Sequence, residues 1–329
     1  MTEPLVTIAV IPRERFSFTA RSLDNICRET EFPFHLLCID GRSPRAARRA
    51  LRERAEQYGG EVVRAEQYLT PNEARNLALR QVRTPYVVFI DNDALVTPGW
   101  LRALIECAEE TGAAICGPLQ LIGELSEQRV HLAGGTAHIA EENGRRRFRD
   151  CHHHPGANAA EVAPALVRQR TEMIEFHCML VRMEVFERLG PLDERLLNMM
   201  EHADLCLAAR AAGLSVFFEP RSVVTYVPPP PLAFADLPYF ILRWSEDWTR
   251  KSLAHFAAKW QLDPSDSGLE PSATFASWHR RLPLRQARAA LKQVLGGRFA
   301  RGQRALSAAE RFGTELIVRA TSRRRRGAH

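Results

Sequence analysis

Three short stretches of this chain hold residue types able to do chemistry. Asp91-Asn92-Asp93 closes the apolar run 86–90, Asp40 closes the run 34–39, and Glu201-His202-Ala203-Asp204 opens a later helical pattern. An apolar run rich in β-branched and aromatic residues reads as a buried strand. Two carboxylates therefore stand at the carboxyl end of a core strand, the edge at which open α/β sheets bind ligands. In an extended chain residues two apart share a side, so Asp91 and Asp93 can face one ligand together. Two hard oxygen donors suit a divalent cation, Mg²⁺ or Mn²⁺, completed by water and phosphate oxygens. A solvated acidic turn is the competing reading of the tripeptide. Asp40-Gly41 suits a contact to a nucleotide base or ribose, and equally an ordinary turn. Glu201 and Asp204 equally suit a helix N-terminus, where negative charge is favoured. Arg75 follows a capping box, Thr70-Pro71-Asn72-Glu73, at a helix end whose free N–H groups favour a phosphate. A solvent-facing arginine is the alternative there.

These residues need elements to position them. Strand patterns at 5–11, 34–39, 61–64, 86–90 and 113–119 alternate with helical patterns at 18–28, 44–58, 73–82 and 98–110. The last helix has Thr97-Pro98 as its expected start and Gly112 as its stop. That alternation is the signature of an α/β fold with a mostly parallel, doubly wound sheet. Beyond residue 120 the pattern predicts a hairpin over 129–139 around Gly134-Gly135, a strand at 174–181, a short helix at 184–189, the helix opened by Glu201, and a strand at 215–219.

With these pieces in order, the chain resembles the family 2 glycosyltransferases over residues 5–262. The matching segments are VTIAVIP, LLCIDGRS, NEARNLAL, FIDNDA, CMLVRMEVFERLGPLDERL and EHADLCLAARAAG. The resemblance implies a GT-A fold, a Rossmann-like nucleotide-sugar-binding domain. It implies that Asp40 contacts the base and that Arg75 lies beside the base or diphosphate. Asp91 would support the ribose, and Asp93 would hold the divalent metal that bridges two phosphates. Members of the family usually carry a Glu-Asp pair at the start of the later helix, one carboxylate serving as the base. Here the pair is Glu201-His202, so either Glu201 or a neutral imidazole, with an unperturbed pKa of about 6.5, takes that role. A metal-binding histidine that many relatives place after the next strand is missing from SVVTYVPPPP, which puts the third metal ligand in question. His177, elsewhere in the matching region, reads as a satisfied core or loop residue.

Cys151-His152-His153-His154 raises a metal site of its own. Adjacent histidines cannot all converge on one ion, and no second ligand pair follows at zinc-like spacing. The stretch reads as an acceptor-side loop or a variable insertion. Trp244, Trp248, Phe256 and Trp260 follow a proline run and read as packing anchors, with stacking on a sugar as the alternative.

Charge divides the chain. Of its 45 Lys and Arg and 39 Asp and Glu, fourteen bases and two acids fall after residue 270, so a tail of +12 follows a body of −6. The expected division is a GT-A catalytic domain over 1–262, then a polar linker and basic helical tail over 263–329, with helical patterns near 284–295 and 304–320. A basic amphipathic helix suits peripheral contact with an anionic membrane or a protein; without a recognised motif, nucleic acid is disfavoured. No apolar run approaches the roughly 20 residues that span a bilayer. Seven cysteines without framework spacing, and no signal peptide, point to the cytoplasm.

The function expected is an inverting, metal-assisted transfer of sugar from a nucleotide-diphosphate sugar donor to a glycan or lipid-linked acceptor. The alternative is a catalytically lapsed relative that binds a nucleotide sugar or a partner. A dinucleotide-binding enzyme is excluded, because no glycine-rich loop follows the first strand.

Overall fold

The computed structural model describes residues 4–229 and 231–283, with 292–293, 312–313 and 315–319. In chain order the elements are β1 (Val6–Ile11), α1 (Thr19–Arg28), β2 (His35–Gly41), α2 (Arg45–Gln57), β3 (Glu61–Ala65), α3 (Pro71–Leu79), β4 (Tyr86–Asp91), β5 (Ala94–Val96), α4 (Trp100–Thr111) and β6 (Ile115–Ile122). There follow β7 (Val130–Leu132), β8 (Gly135–Glu142), β9 (Arg145–His152), α5 (Ala159–Val162), β10 (Gln169–Arg170), β11 (Cys178–Arg182), α6 (Glu184–Leu189), α7 (Glu201–Ala211), β12 (Val216–Tyr226), α8 (Leu237–Arg243), α9 (Glu246–Lys259) and α10 (Glu270–His279).

One sheet runs β10-β12-β6-β11-β4-β1-β2-β3, with β5 on β12 and β7 on β6, beside a separate β8-β9 pair. Strands β3, β2, β1 and β4 are mutually parallel, as are β6 and β12, while β11 runs antiparallel between β4 and β6. Every residue of β1 and β4 is buried, as continuous apolar runs covered on both faces must be. One apolar layer holds Ala9, Ile11, Phe89 and Met179; the opposite layer holds Ile8, Val10, Val88 and Trp100. The α/β, largely parallel sheet flanked by helices is thus the fold expected. From β1 the chain winds outward to β3 and then crosses back to β4, so the strand order reverses between β1 and β4. A crevice opens at such a reversal, beyond the carboxyl ends of the strands. There Ile11 lies opposite Asp91.

Several local expectations are revised. α4 starts at Trp100 behind Gly99, which has φ of +78°. Thr97 does not cap it with its side chain; its hydroxyl donates to Val223 O at 3.0 Å, tying β5 to β12. The hairpin turns at Asn143-Gly144, between β8 and β9, and not at Gly134-Gly135. Residues 130–132 pair instead with β6. The strand expected at 174–181 begins only at Cys178. The start of the expected polar linker, 263–269, carries no helix or strand, and α10 follows it from Glu270, with Ala276 and His279 buried. The helical patterns near 284–295 and 304–320 lie for the most part outside the described residues.

The α10 helix reaches back to the start of the chain. Glu14 is fully buried and accepts hydrogen bonds from Trp244 Nε1 at 2.7 Å and His279 Nε2 at 2.9 Å. Arg243 Nε lies 3.4 Å away. Burial alone would raise the Glu14 pKa, but His279 and Arg13 pull it down to about 2. This clasp joins the loop after β1, the end of α8 and the end of α10.

A carboxylate whose folded-state pKa is depressed stabilises the fold above its unfolded value and loses that contribution as pH falls through the folded one. From 4.5 to about 2, the contribution at neutral pH is roughly 3 kcal/mol. Urea unfolding from pH 7 to pH 2 should show this loss in the wild type and not in Glu14→Gln, which should already be less stable at pH 7 by a similar amount. Equal stability of the two proteins at pH 7 would contradict the clasp.

Candidate active site

The crevice at the β1–β4 reversal deepens into a cleft of about 540 Å³. Its walls carry Arg13, Arg75, Glu201 and His202, with Trp244, Phe275 and Trp278.

Asp91 and Asp93 do not themselves line this cleft; both are buried, 2% and 0% exposed, and Asp91 bonds Arg13 and His177, which do line it. The intervening Asn92 fixes the strand end. Its Oδ1 accepts from Arg13 N at 2.8 Å and its Nδ2 donates to Thr19 Oγ1 at 2.7 Å, which ties β4 to the loop after β1 and to α1. Asp91 Oδ2 accepts from Arg13 Nη1 at 2.7 Å and is 3.0 Å from His177 Nδ1. Burial opposes its ionisation, but Arg13 and then His177 outweigh burial and hold Asp91 well below the usual carboxylate range. Asp93 is the opposite case. Neither of its oxygens has a hydrogen-bond partner among the described residues, and burial drives its pKa well above the usual range. A buried carboxylate without partners is costly, and a cation is the group that would satisfy it. The donor chemistry at Asp93 therefore fits a divalent ion. Arg13 at present holds Asp91, so an ion shared by both aspartates requires that guanidinium to move.

Arg75, 3% exposed on α3, lies 3.7 Å over the Phe176 ring and donates to Asn72 Oδ1 at 3.1 Å. Its Nε has no partner among the described residues. Burial lowers its pKa to about 10, with Asp91 and Glu201 working against the shift. A buried, under-paired guanidinium lining a cleft is poised for an anion.

Glu201 and His202 open α7 behind Met200, whose φ of +71° turns the chain sharply into the helix. Both line the cleft. Burial lowers the His202 pKa, so its imidazole is neutral near pH 7. Asp204, expected beside them, does not line the cleft. It accepts from Lys259 Nζ at 2.7 Å and Trp260 Nε1 at 2.9 Å, an α7–α9 brace. Two residues on from His202, about 200° round the helix, it points away from that side chain. Asp40 is also placed apart from the cleft. Ser43 and Arg64 take its two oxygens, and it faces a basin shared with Arg48 and Arg52.

Sequence reasoning missed Arg13, Arg243 and Glu175, which line the cleft, and took His177 for a satisfied core or loop residue. His177 is buried and bonded, but to Asp91, and it stacks on Tyr226 with ring centres 4.0 Å apart. Arg13 had one usable signal, its place directly after the first strand at the reversal. Of the four aromatics expected as anchors, Trp244, Trp248 and Phe256 are buried; Trp244 also reaches the cleft wall. The run 152–154 does not converge on one point; only His152 joins the cleft, beside His131 and Glu175.

The profile of the family described as Glycosyl transferase family 2 matches residues 7–190. Among curated proteins, an uncharacterized protein y4gI of Sinorhizobium fredii is 23% identical over 228 residues, 66% of this chain and 24% of that protein. The O-antigen biosynthesis protein RfbC of Myxococcus xanthus is 25% identical over 221 residues, 65% of this chain and 16% of that protein. The chain thus matches a quarter or less of the length of these relatives. Among solved structures, GalNAc-T7 with UDP, GalNAc and Mn²⁺ superposes with a TM-score of 0.53 and 15% identity, over 86% of this chain and 59% of that one. Mannosyltransferase PcManGT of Pyrobaculum calidifontis, with GDP-Man and Mn²⁺, gives 0.52 and 18%, over 98% and 87%. At such identities the likeness is one of fold.

A carboxyl whose folded pKa is raised destabilises the folded state as pH climbs above its unfolded value of 3.8. In metal-free protein, the stability of Asp93→Asn relative to wild type should rise between pH 4 and pH 7, by up to about 1.4 kcal/mol per pH unit, because only the wild type loses stability as its unfolded carboxyl ionises. Thermal and urea unfolding at the two pH values check this. A stability difference that is the same at both pH values, or that falls towards pH 7, would show that the Asp93 carboxylate has a partner.

Proposed function

The chain belongs to glycosyl transferase family 2, and from that premise we propose that it is an inverting, metal-assisted glycosyltransferase. It would transfer a sugar from a nucleotide-diphosphate donor to an acceptor hydroxyl. The observation that carries the reading is the buried carboxylate of Asp93, without hydrogen-bond partners among the described residues and close to Arg13, which lines a cleft together with the under-paired Arg75.

Asp93, with Asp91, would hold Mg²⁺ or Mn²⁺, which neutralises the charge that builds on a departing nucleoside diphosphate. Arg75 would take phosphate oxygens from the opposite side, its charge undiluted by another strong partner. Asp91 would support the ribose, and Asp40 the base, after Ser43 or Arg64 yields an oxygen to it. The loop after β1 contributes Arg13, which neutralises Asp91 in the absence of a ligand and can turn towards a phosphate when one arrives.

A base must be unprotonated near neutral pH and must face the acceptor. His202 is the first candidate, supported by burial that lowers its pKa and by its place in the cleft wall. Glu201, between Arg75 and His202, is the second candidate. The base would take the hydroxyl proton as the oxygen attacks the anomeric carbon, and the bond to the diphosphate would break in the same displacement. Trp244, Phe275 and Trp278 give the acceptor end of the cleft aromatic walls, suited to the apolar faces of sugar rings. A glycan or lipid-linked glycan of the cell envelope is the acceptor class proposed, in keeping with the O-antigen role named for the Myxococcus relative. The catalytic unit is read as residues 1–262, with α10 packed back on it. A cytoplasmic place is proposed, with the basic tail in peripheral contact with an anionic membrane or a protein; no helix among the described residues is long and apolar enough to cross a membrane.

A catalytically lapsed relative is the second reading, favoured by the 2.7 Å Arg13–Asp91 ion pair, which closes the aspartates to a shared cation. Release of nucleoside diphosphate from a panel of nucleotide sugars, with and without Mn²⁺, separates the two. The enzyme reading expects turnover of one donor that Asp93→Ala abolishes, and a drop of roughly 10²–10⁴-fold in His202→Ala with a smaller one in Glu201→Gln. The reverse order would move the base to Glu201. Donor binding without turnover across acceptors would support the lapsed relative, and no binding of any donor by folded protein would end the proposal.

A further inference from the structure

Glu175 lies just before β11 with four imidazoles around its carboxylate. His131 Nε2, from β7, is 2.7 Å from Oε2, and His152 Nε2, at the end of β9, is 3.3 Å from Oε1. His177 Nε2 stands 3.4 Å from Oε2, and His202 Nε2 3.9 Å from Oε1. The ligand atoms of His131, His152 and Glu175 all fall within 4.8 Å of one another. The two rings meet edge to face with centres 5.2 Å apart, so their Nε2 atoms approach the carboxylate from different directions. We propose that His131, His152 and Glu175 form a second metal site, for a divalent first-row transition ion such as Zn²⁺, separate from the Asp91–Asp93 pair.

Two imidazole nitrogens and one carboxylate oxygen are the donor set of such ions rather than of Mg²⁺ or Ca²⁺, which take oxygens. Metal–ligand distances of about 2.0–2.2 Å place tetrahedral ligand atoms about 3.3–3.6 Å apart. His152 stands 3.3 Å from Oε1 and His131 2.7 Å from Oε2, so both imidazoles already reach the carboxylate, and sharing one of its oxygens at this spacing requires the Glu175 side chain to turn. His177 is the outer partner. It bonds Asp91 through Nδ1 and faces Glu175 through Nε2, which keeps this site one ring away from the aspartates. All three ligands line the cleft, so the remaining coordination position is open to water or an alcohol, with His202 adjacent. The site stands on its own geometry and does not depend on the donor reaction.

Without an ion, the same groups form a half-buried carboxylate hydrogen-bonded by histidines, and metal binding distinguishes the two states. Full-length protein, stripped with chelator, would be titrated with Co²⁺ and followed by its visible d–d absorption, with metal content measured after dialysis against Zn²⁺. Expected is one tightly held ion, retained in Asp93→Asn and in His153→Ala/His154→Ala, and bound at least tenfold more weakly in Glu175→Gln and in His131→Ala/His152→Ala. Should those variants unfold, X-ray absorption on Zn²⁺-loaded wild type reads the ligands directly, and two imidazoles with one carboxylate are expected. An ion lost in Asp93→Asn or in the 153/154 variant, an absorption spectrum without imidazole, or no ion retained by folded wild type would overturn the proposal.

Discussion

The burial of two carboxylates, Asp91 and Asp93, at the end of one central strand is the constraint on which the rest of this structure turns. Charges taken out of water are costly unless paired, and the fold meets that cost for one aspartate only. Asp91 has Arg13 and His177, whereas Asp93 has no hydrogen-bond partner among the described residues. The fold is thus complete around Asp91 and incomplete around Asp93, an imbalance typical of a site awaiting a ligand.

The surrounding elements hold that imbalance in place. Parallel pairing of β1 with β4 sets Ile11 opposite Asp91. Asn92 then bonds the loop that carries Arg13. The same loop continues into Glu14, clasped by Trp244 and His279 from the far end of the chain. Antiparallel β11 enters beside β4 and delivers His177 to Asp91 from the other side. Three distant segments thereby converge on a few ångströms of strand end, and a shift in any one of them would reach the aspartates.

What the sequence made legible follows from how local each signal is. The strands around residues 6–11, 35–41 and 86–91, the capping box that starts α3 and the helix at 184–189 all come from periodicity and turn chemistry within a few residues, and they stand as read. The hairpin was misplaced because both Gly134-Gly135 and Asn143-Gly144 carry turn chemistry, and only pairing decides between them. α4 starts at Trp100 because Gly99 adopts a backbone conformation that no pattern announced. Glu175 and His131 have no neighbouring motif at all, and they meet His152 only through the sheet and the β8-β9 pair. Asp204 belonged to a motif, but its helical position turned it towards Lys259 and Trp260. Glu201 and His202 were marked by their place before the later helix, and the structure sets both on the cleft.

The most direct test of the central claim is the position of Mn²⁺ in crystals grown with a nucleoside diphosphate, read from its anomalous scattering. The account predicts an ion within coordination distance of the Asp93 carboxylate, bridged to the diphosphate, with Arg75 on the phosphate oxygens and Arg13 turned away from Asp91. A nucleotide bound with Arg13 still on Asp91 and no ion at Asp93, or a nucleotide bound outside this crevice, would contradict it.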